Sequence, residues 1–247
     1  MKKHKIENQT DTKDENIWLS SKSRFLGHLK HLELKRLERH AVKLVCLSDT
    51  HNTQPSKYPE VPKGDVLVHA GDFTYQGRRR EMRAFAAWVA DLGFKHVVIV
   101  PGNHELSMDP RRREFDLESY DILRNIPSCQ VLVDRGTQIE GKSFYGSPFT
   151  REYNNWAFSL QPGREHLHWA TVPDSIDVLI THQPASGYLG CKHLRDRILE
   201  TEPRIHICGH IHEEAGKEYL IGKTASYNCA ILDENYVQAN KPTVVEI

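Results

Sequence analysis

No apolar run in this chain of 247 residues approaches the ~18–20 residues that a helix needs to cross a bilayer. Nor is there a charged-then-apolar start of the secretory kind. Cysteine is scarce: Cys46, Cys129, Cys191, Cys208 and Cys229 are odd in number, scattered and never in Cys-x-x-Cys spacing. That pattern argues against a disulfide framework and for a reducing compartment. The expectation is a soluble, cytoplasmic protein. An excess of one charge is lacking too, with 33 basic and 33 acidic side chains, so no global field draws nucleic acid or membrane. The balance is uneven along the chain. Residues 1–43 carry 11 basic against 6 acidic side chains, and the remainder carries 22 against 27.

The length suits one large α/β domain, and no internal repeat is evident. The polar residues 1–16 read as a disordered tail. Over 17–41, Leu26, Leu29, Leu32 or Leu34, and Leu37 recur at helical spacing, with Lys30, Lys35, Arg36 and Arg39 between them. This predicts a basic amphipathic helical extension, which either packs outside the domain or makes a weak contact with anionic lipid or a protein partner. The remaining domain, over 42–247, alternates apolar strands with fewer helices. Strands are predicted at Val42–Leu47, Asp65–His69, His96–Val100, Gln130–Val133, Lys142–Tyr145, Asp177–Thr181, Arg204–Cys208, Thr224–Ile231 and Thr243–Ile247. Helices are predicted at Arg78–Leu92, Asp116–Arg124, Gly163–Ala170 and Leu189–Glu200. The fold class is α/β, with two packed sheets flanked by helices.

Five polar motifs follow these strands: Asp49-Thr50-His51, Gly71-Asp72, Gly102-Asn103-His104-Glu105, Thr181-His182 and Gly209-His210-Ile211-His212. Ligands of open α/β sheets gather beyond the carboxyl ends of the strands, so one cleft can collect groups that are distant in sequence. Asp-x-His and His-x-His put two side chains on one side of an extended segment. Two divalent cations balanced by Asp49, Asp72 and a bridging hydroxide keep a small positive charge that attracts phosphate. The neutral donor Asn103 preserves that balance. Such a pair lowers the pKa of bound water and clamps phosphoryl oxygens through an in-line displacement. Imidazole and carboxylate donors suit Mn, Fe or Zn more than Mg. Outside the motifs, His69, His96 and His206 read as core histidines, and Arg78–Arg80 and Arg111–Arg113 as solvated surface. Arg78 follows Asp72 closely enough to be a candidate contact for substrate phosphate.

The ordered set resembles the calcineurin-like metallophosphoesterase superfamily, whose pattern runs D-x-H, G-D, G-N-H-[DE], H, G-H-x-H. The resemblance implies that Asp49, His51 and His212 bind one metal, that Asp72 bridges, and that Asn103, His182 and His210 bind the second. It implies that His104 is no ligand but the general acid that protonates the leaving oxygen. Within the superfamily the chain is similar to the metallophosphoesterase-domain-containing proteins. The carriers include Leu47-Ser48-Asp49-Thr50-His51, His69-Ala70-Gly71-Asp72-Phe73-Thr74 and Tyr145-Gly146-Ser147-Pro148-Phe149-Thr150. Ser147 and Asn155, with Trp156, are candidates for the rim of a substrate pocket; a turn and a core Trp is the alternative. Protein phosphatases of the superfamily read G-D-x-V-D-R-G at the second motif, whereas Tyr75 and Gln76 stand here in place of the orienting aspartate and the phosphate-gripping arginine. That departure discounts protein phosphatase activity and leaves open what orients His104.

The expected activity is dinuclear metal-dependent hydrolysis of small phosphodiesters, cyclic nucleotides included, by in-line attack of a metal-activated hydroxide. A phosphomonoesterase, or a partner- or membrane-binding protein with a vestigial site, is the alternative. No nucleic-acid polymer is expected as a partner, since the region over 44–247 is net acidic and lacks a basic groove with interleaved aromatics. The oligomeric state is left open.

Overall fold

The apolar strand cores of the sequence become strands buried on both faces. In a computed structural model that describes residues 41–53 and 60–247, the chain runs β1 (Lys43–Leu47), β2 (Val66–His69), α1 (Arg79–Leu92), β3 (His96–Ile99), α2 (Leu117–Arg124) and β4 (Cys129–Val131). It continues through β5 (Arg135–Ile139), β6 (Lys142–Ser147), β7 (Thr150–Arg151), β8 (Ser159–Leu160), α3 (Glu165–Trp169), β9 (Val178–Thr181) and α4 (Lys192–Thr201). Last come β10 (Ile205–Cys208), β11 (Glu218–Ile221), β12 (Thr224–Asn228) and β13 (Thr243–Glu246). The tail over 1–16 and the helical extension over 17–41 lie outside the described residues, save residue 41.

One sheet is ordered β13-β1-β2-β3-β4 and the other β11-β12-β10-β9-β6-β5. Strands β1 to β4 are parallel, as are β6, β9, β10 and β12 where they pair, while β13, β5 and β11 close the edges antiparallel. Period-two alternation divides each inner strand between two cores. Leu44, Cys46, Val66, Val68 and Val98 join Phe144, Val178, Ile180, Ile205 and Ile207 in one apolar layer shared by the two sheets. Their neighbours Val45, Leu47, Leu67, Val97 and Ile99 pack with Met82, Phe85, Ala86 and Val89 of α1 and Leu123 of α2. Leu179 of β9 packs with Trp169, Leu194 and Ile198 on the far face of the second sheet. Burial on both faces is why these strands read as continuous apolar runs instead of alternating ones.

Helix α1 has its apolar stripe at Met82, Phe85, Ala86 and Val89 and ends at Gly93, whose φ of 67° supplies the left-handed stop. At its start, Glu81 Oε2 accepts from the backbone N–H of Arg78 at 3.0 Å and of Gln76 at 3.1 Å. Two details depart from the sequence reading. Edge strands β5 and β11 are half-exposed, so their hydrophobic signal is weak. The predicted strand over Thr224–Ile231 ends at Asn228, because Cys229 crosses between sheets. Its N–H donates to the Cys208 carbonyl at 2.8 Å, and its own carbonyl accepts from Ser48 N–H at 2.9 Å. Among the described residues no helix is long and apolar enough to cross a membrane.

Candidate metal centre

All five motifs leave their strands at one end of the two sheets. Asp49 and His51 follow β1, Asp72 follows β2, and Asn103 and His104 follow β3; His182 comes from β9, and His210 and His212 from β10. To aim inward, the backbone adopts left-handed conformations at four of these donors: φ is 54° at Asp49, 40° at His51, 54° at Asp72 and 72° at His210. Such conformations cost about 1–3 kcal/mol each outside glycine and persist where the surroundings dictate them. Gly102 serves close approach instead. A Cβ there would overlap Asp72 and stand 2.8 Å from His182 Nε2.

Two groups of side chains converge. Asp49, His51 and His212 offer ligand atoms all within 4.8 Å of one another, and so do Asp72, His182 and His210. In the first, His212 Nε2 stands 3.4 Å from Asp49 Oδ1 and 3.3 Å from His51 Nε2. In the second, His182 Nε2 stands 3.1 Å from both Asp72 Oδ2 and Asn103 Oδ1. The same Asp72 oxygen lies 3.9 Å from His51 Nε2, between the groups. Asp49, His51, Asp72, Asn103 and His182 are all buried.

The outward nitrogens are tied down. His51 Nδ1 donates to the Thr74 carbonyl at 3.2 Å, His182 Nδ1 to the Ala70 carbonyl at 2.8 Å and His212 Nδ1 to the Asp233 carbonyl at 2.9 Å. A carbonyl only accepts, so each Nδ1 holds a proton and each Nε2 is the nitrogen left for a cation. Buried Glu105 joins the second and third motifs. Its carboxylate accepts from the backbone N–H of Asp72 at 3.0 Å, Thr74 at 2.9 Å and Gly102 at 2.6 Å, and from Thr74 Oγ1 at 2.8 Å.

The charge state follows from burial and neighbours. Burial alone would raise Asp49, but His212 and His182 overcome it and hold the carboxyl below the usual range. Asp72 behaves alike through His182 and His104. His51 and His210 are each lowered to about 4 by burial. His182 and His212 go the other way: burial opposes them, yet Asp72 lifts the first and Asp49 the second, each to about 9. At neutral pH without metal, both therefore carry a proton on the nitrogen a cation would need. Metal uptake at pH 7 is expected to release about two protons and to tighten as pH rises, levelling off near the pKa of about 9. Calorimetric titration with Mn²⁺ in buffers of different ionisation enthalpy checks this; uptake without proton release would contradict it.

His104 lies beside these groups at the base of the cavity. Its Nδ1 donates to the Tyr75 carbonyl at 2.8 Å, and its Nε2 lies 4.0 Å from Asp72 Oδ2. The orienting partner absent from the sequence motif is thus the backbone of Tyr75, whose identity as a side chain carries no signal for it. A cavity of about 330 Å³ opens over the cluster, lined by His51, Asp72, Asn103, His104, His210 and His212 at its base, with Thr150, Arg151, Tyr153, Asn154, Trp156 and Tyr236 around them.

The three substrate-contact candidates lie outside this lining. Arg78 is exposed on a separate hollow and its Nη2 donates to Gln76 Oε1 at 2.7 Å. Ser147, the last residue of β6, is buried with its Oγ 3.0 Å from His168 Nε2. Asn155 turns its amide oxygen to Arg112 Nη1 at 2.9 Å, and its neighbours Asn154 and Trp156 reach the cavity instead. The Arg111–Arg113 triplet is not plain solvated surface. Arg111 forks onto buried Asp109 at 2.9 and 2.8 Å, and Arg112 grips Asn155, leaving Arg113 exposed. His69 and His206 are buried core histidines, 3.1 Å from Thr50 Oγ1 and 2.8 Å from Thr181 Oγ1 respectively.

A family model for calcineurin-like phosphoesterases matches residues 42–214, from the first strand through the last histidine motif. The chain belongs to that family. It is a metal-dependent phosphoric ester hydrolase, and the two side-chain groups suit a dinuclear divalent metal site. Human Metallophosphoesterase domain-containing protein 1 is 32% identical over 234 residues, covering 83% of this chain and 71% of that protein. UPF0046 protein K07C11.7 of Caenorhabditis elegans is 34% identical over 225 residues, covering 83% and 75%. Among solved structures, TT1561 of Thermus thermophilus shares the fold, with a TM-score of 0.55 at 12% identity over 76% of this chain and 88% of that one.

Proposed function

We propose that this phosphoesterase hydrolyses small phosphodiesters, cyclic nucleotides among them. Asp49, His51, Asp72 and His212 would hold one divalent ion, and Asp72, Asn103, His182 and His210 the other. Their imidazole and carboxylate donors suit Mn, Fe or Zn better than Mg. When bound, such a pair acidifies a water molecule and stabilises charge on the phosphoryl oxygens. The chain supplies the rest. His104 Nε2 gives its proton to the departing oxygen while the Tyr75 carbonyl fixes the other nitrogen. Asp72 faces both groups and keeps His182 and His51 turned toward the centre.

One observation carries the diester preference. Among the described residues lining the cavity, the only Lys or Arg is Arg151, at the exposed rim. A monoester dianion gains from cationic groups close to its extra charge, whereas a diester monoanion with two organic arms needs fewer. Tyr153 and Tyr236 offer flat apolar faces to such an arm. A cavity of about 330 Å³ suits a small ester. Arg151 is also what favours the second reading, a phosphomonoesterase, because its guanidinium has no ion-pair partner among the described residues. Metal-stripped protein resupplied with Mn²⁺ is expected to turn over bis(4-nitrophenyl) phosphate faster than 4-nitrophenyl phosphate. Preference for the monoester would overturn the diester reading and make Arg151 the phosphate clamp.

A further inference from the structure

The loop over 150–159 forms one wall of the cavity and is tied to the rest of the chain at several points. Trp156 lies on His104 with ring centroids 4.1 Å apart and an interplanar angle of 23°. Both residues flanking it are bonded to other parts of the chain. Ala157 N–H donates to the Asn103 carbonyl at 3.0 Å, one residue before His104. Asn155 accepts from Arg112 Nη1 through its amide oxygen at 2.9 Å and through its backbone carbonyl. Farther along, Phe158 N–H donates to Asp109 Oδ2 at 2.7 Å, and Asp109 is itself gripped by Arg111. The Trp156 carbonyl accepts from Ser159 Oγ at 2.9 Å. Three non-glycine residues of this loop stand in left-handed backbone: φ is 46° at Asn154, 55° at Asn155 and 51° at Phe158. Strain of that kind survives where neighbouring bonds dictate it, and it clusters where a side chain must be aimed.

Among the described residues, His104 has one hydrogen bond to orient its ring, from Nδ1 to the Tyr75 carbonyl. A single bond fixes one atom and leaves the ring free to swing about the bond, so Nε2 can sweep an arc. A flat partner stacked on the ring face removes that freedom. The opposite approach is limited by the His51 ring, edge-on with its centroid 4.6 Å away. We propose that Trp156 is a positioning residue for His104: it fixes the plane of the imidazole so that Nε2 faces the oxygen of the leaving alcohol, and Arg112, through Asn155, holds Trp156 in place. This rests on the reading of His104 as the proton donor.

A misaimed proton donor hurts one class of substrate selectively. A nitrophenolate departs readily without a proton, whereas an alkoxide does not. Methyl 4-nitrophenyl phosphate and methyl 4-nitrobenzyl phosphate present similar aromatic arms to the cavity and differ in leaving group. Steady-state rates on both, with Mn²⁺ loaded and metal content measured, separate the possibilities. For Trp156→Ala, the ratio of benzyl-ester to phenyl-ester kcat is expected to fall by roughly 10²-fold, the scale of a misplaced catalytic group, at wild-type metal stoichiometry. Trp156→Phe, which keeps a stacking face, is expected to recover most of the ratio. Arg112→Ala, which lines no part of the cavity, is expected to lower it in the same direction by a smaller factor. Equal losses on both esters, or a raised KM at unchanged kcat, would overturn the proposal by making Trp156 a structural residue or a substrate platform. His104→Ala is the internal reference. If its losses are also equal on both esters, the proton-donor reading itself fails; if they are selective and those of Trp156→Ala are not, only the positioning role fails.

Discussion

Replacing Asp72 with asparagine is expected to lower turnover by about 10³–10⁴-fold and to reduce the bound metal below the wild-type complement. The size follows from Lewis-acid stabilisation worth several kcal/mol, at about 1.4 kcal/mol per decade of rate. Asp72 Oδ2 lies between the two donor groups, 3.1 Å from His182 Nε2 and 3.9 Å from His51 Nε2. Asparagine keeps the shape and can still accept the His104 N–H that Asp72 Oδ1 receives at 2.9 Å. What it removes is the negative charge shared by the two halves of the site. The remaining donors then hold a single carboxylate, Asp49, for both cations. Elemental analysis of the purified variant beside diesterase rates checks the prediction. A variant with the full metal complement and near-normal turnover would show that Asp72 does not bridge.

The His104→Ala variant is expected to lose about 10²–10⁴-fold in turnover, the usual contribution of a positioned general acid, while keeping its metals. The geometry contains a competing possibility: His51, Asp72 and His104 also bring their ligand atoms within 4.8 Å of one another. The donor role is what the motif order implies, and distance and burial do not separate the two roles. His104 Nε2 is 4.0 Å from Asp72 Oδ2 and His51 Nε2 3.9 Å, and His210 and His212 are half-buried as His104 is. Metal content decides between the two. Loss of metal together with activity would make His104 a ligand.

How much of this was legible in the sequence depends on where each piece of information is stored. The strand ends that carry Asp49, Asp72, Asn103, His182 and His210 were visible because strands buried on both faces, such as Val66–His69 and Ile205–Cys208, leave unbroken apolar runs before a polar residue. The ordering of the donors was visible for the same reason. The cavity wall was visible only in part, through Trp156. Tyr236 comes from a turn remote from every motif, and Tyr75 acts through its carbonyl, which any residue possesses. Arg78 drew attention by sequence proximity to Asp72, yet the chain turns at Gly77, where φ is 70°, and Arg78 opens α1 on a different surface. Arg112 looked like one of three solvated arginines; its role depends on Asn155, 43 residues away. Edge strands β5 and β11 escaped because half-exposed strands carry little apolar signal.

Each donor group spans the seam between the sheets. Asp49 and His51 come from one sheet and their partner His212 from the other; Asp72 and Asn103 face His182 and His210 in the same way. A cation bound to either group is therefore a rivet through both layers, and its binding energy enters the cohesion of the sandwich. At free metal a hundredfold above the dissociation constant, one such site adds about 2.7 kcal/mol to the stability of the folded chain. Chelation thus withdraws a fastener along with a catalyst, and the resistance of this protein to heat becomes a function of the metal around it.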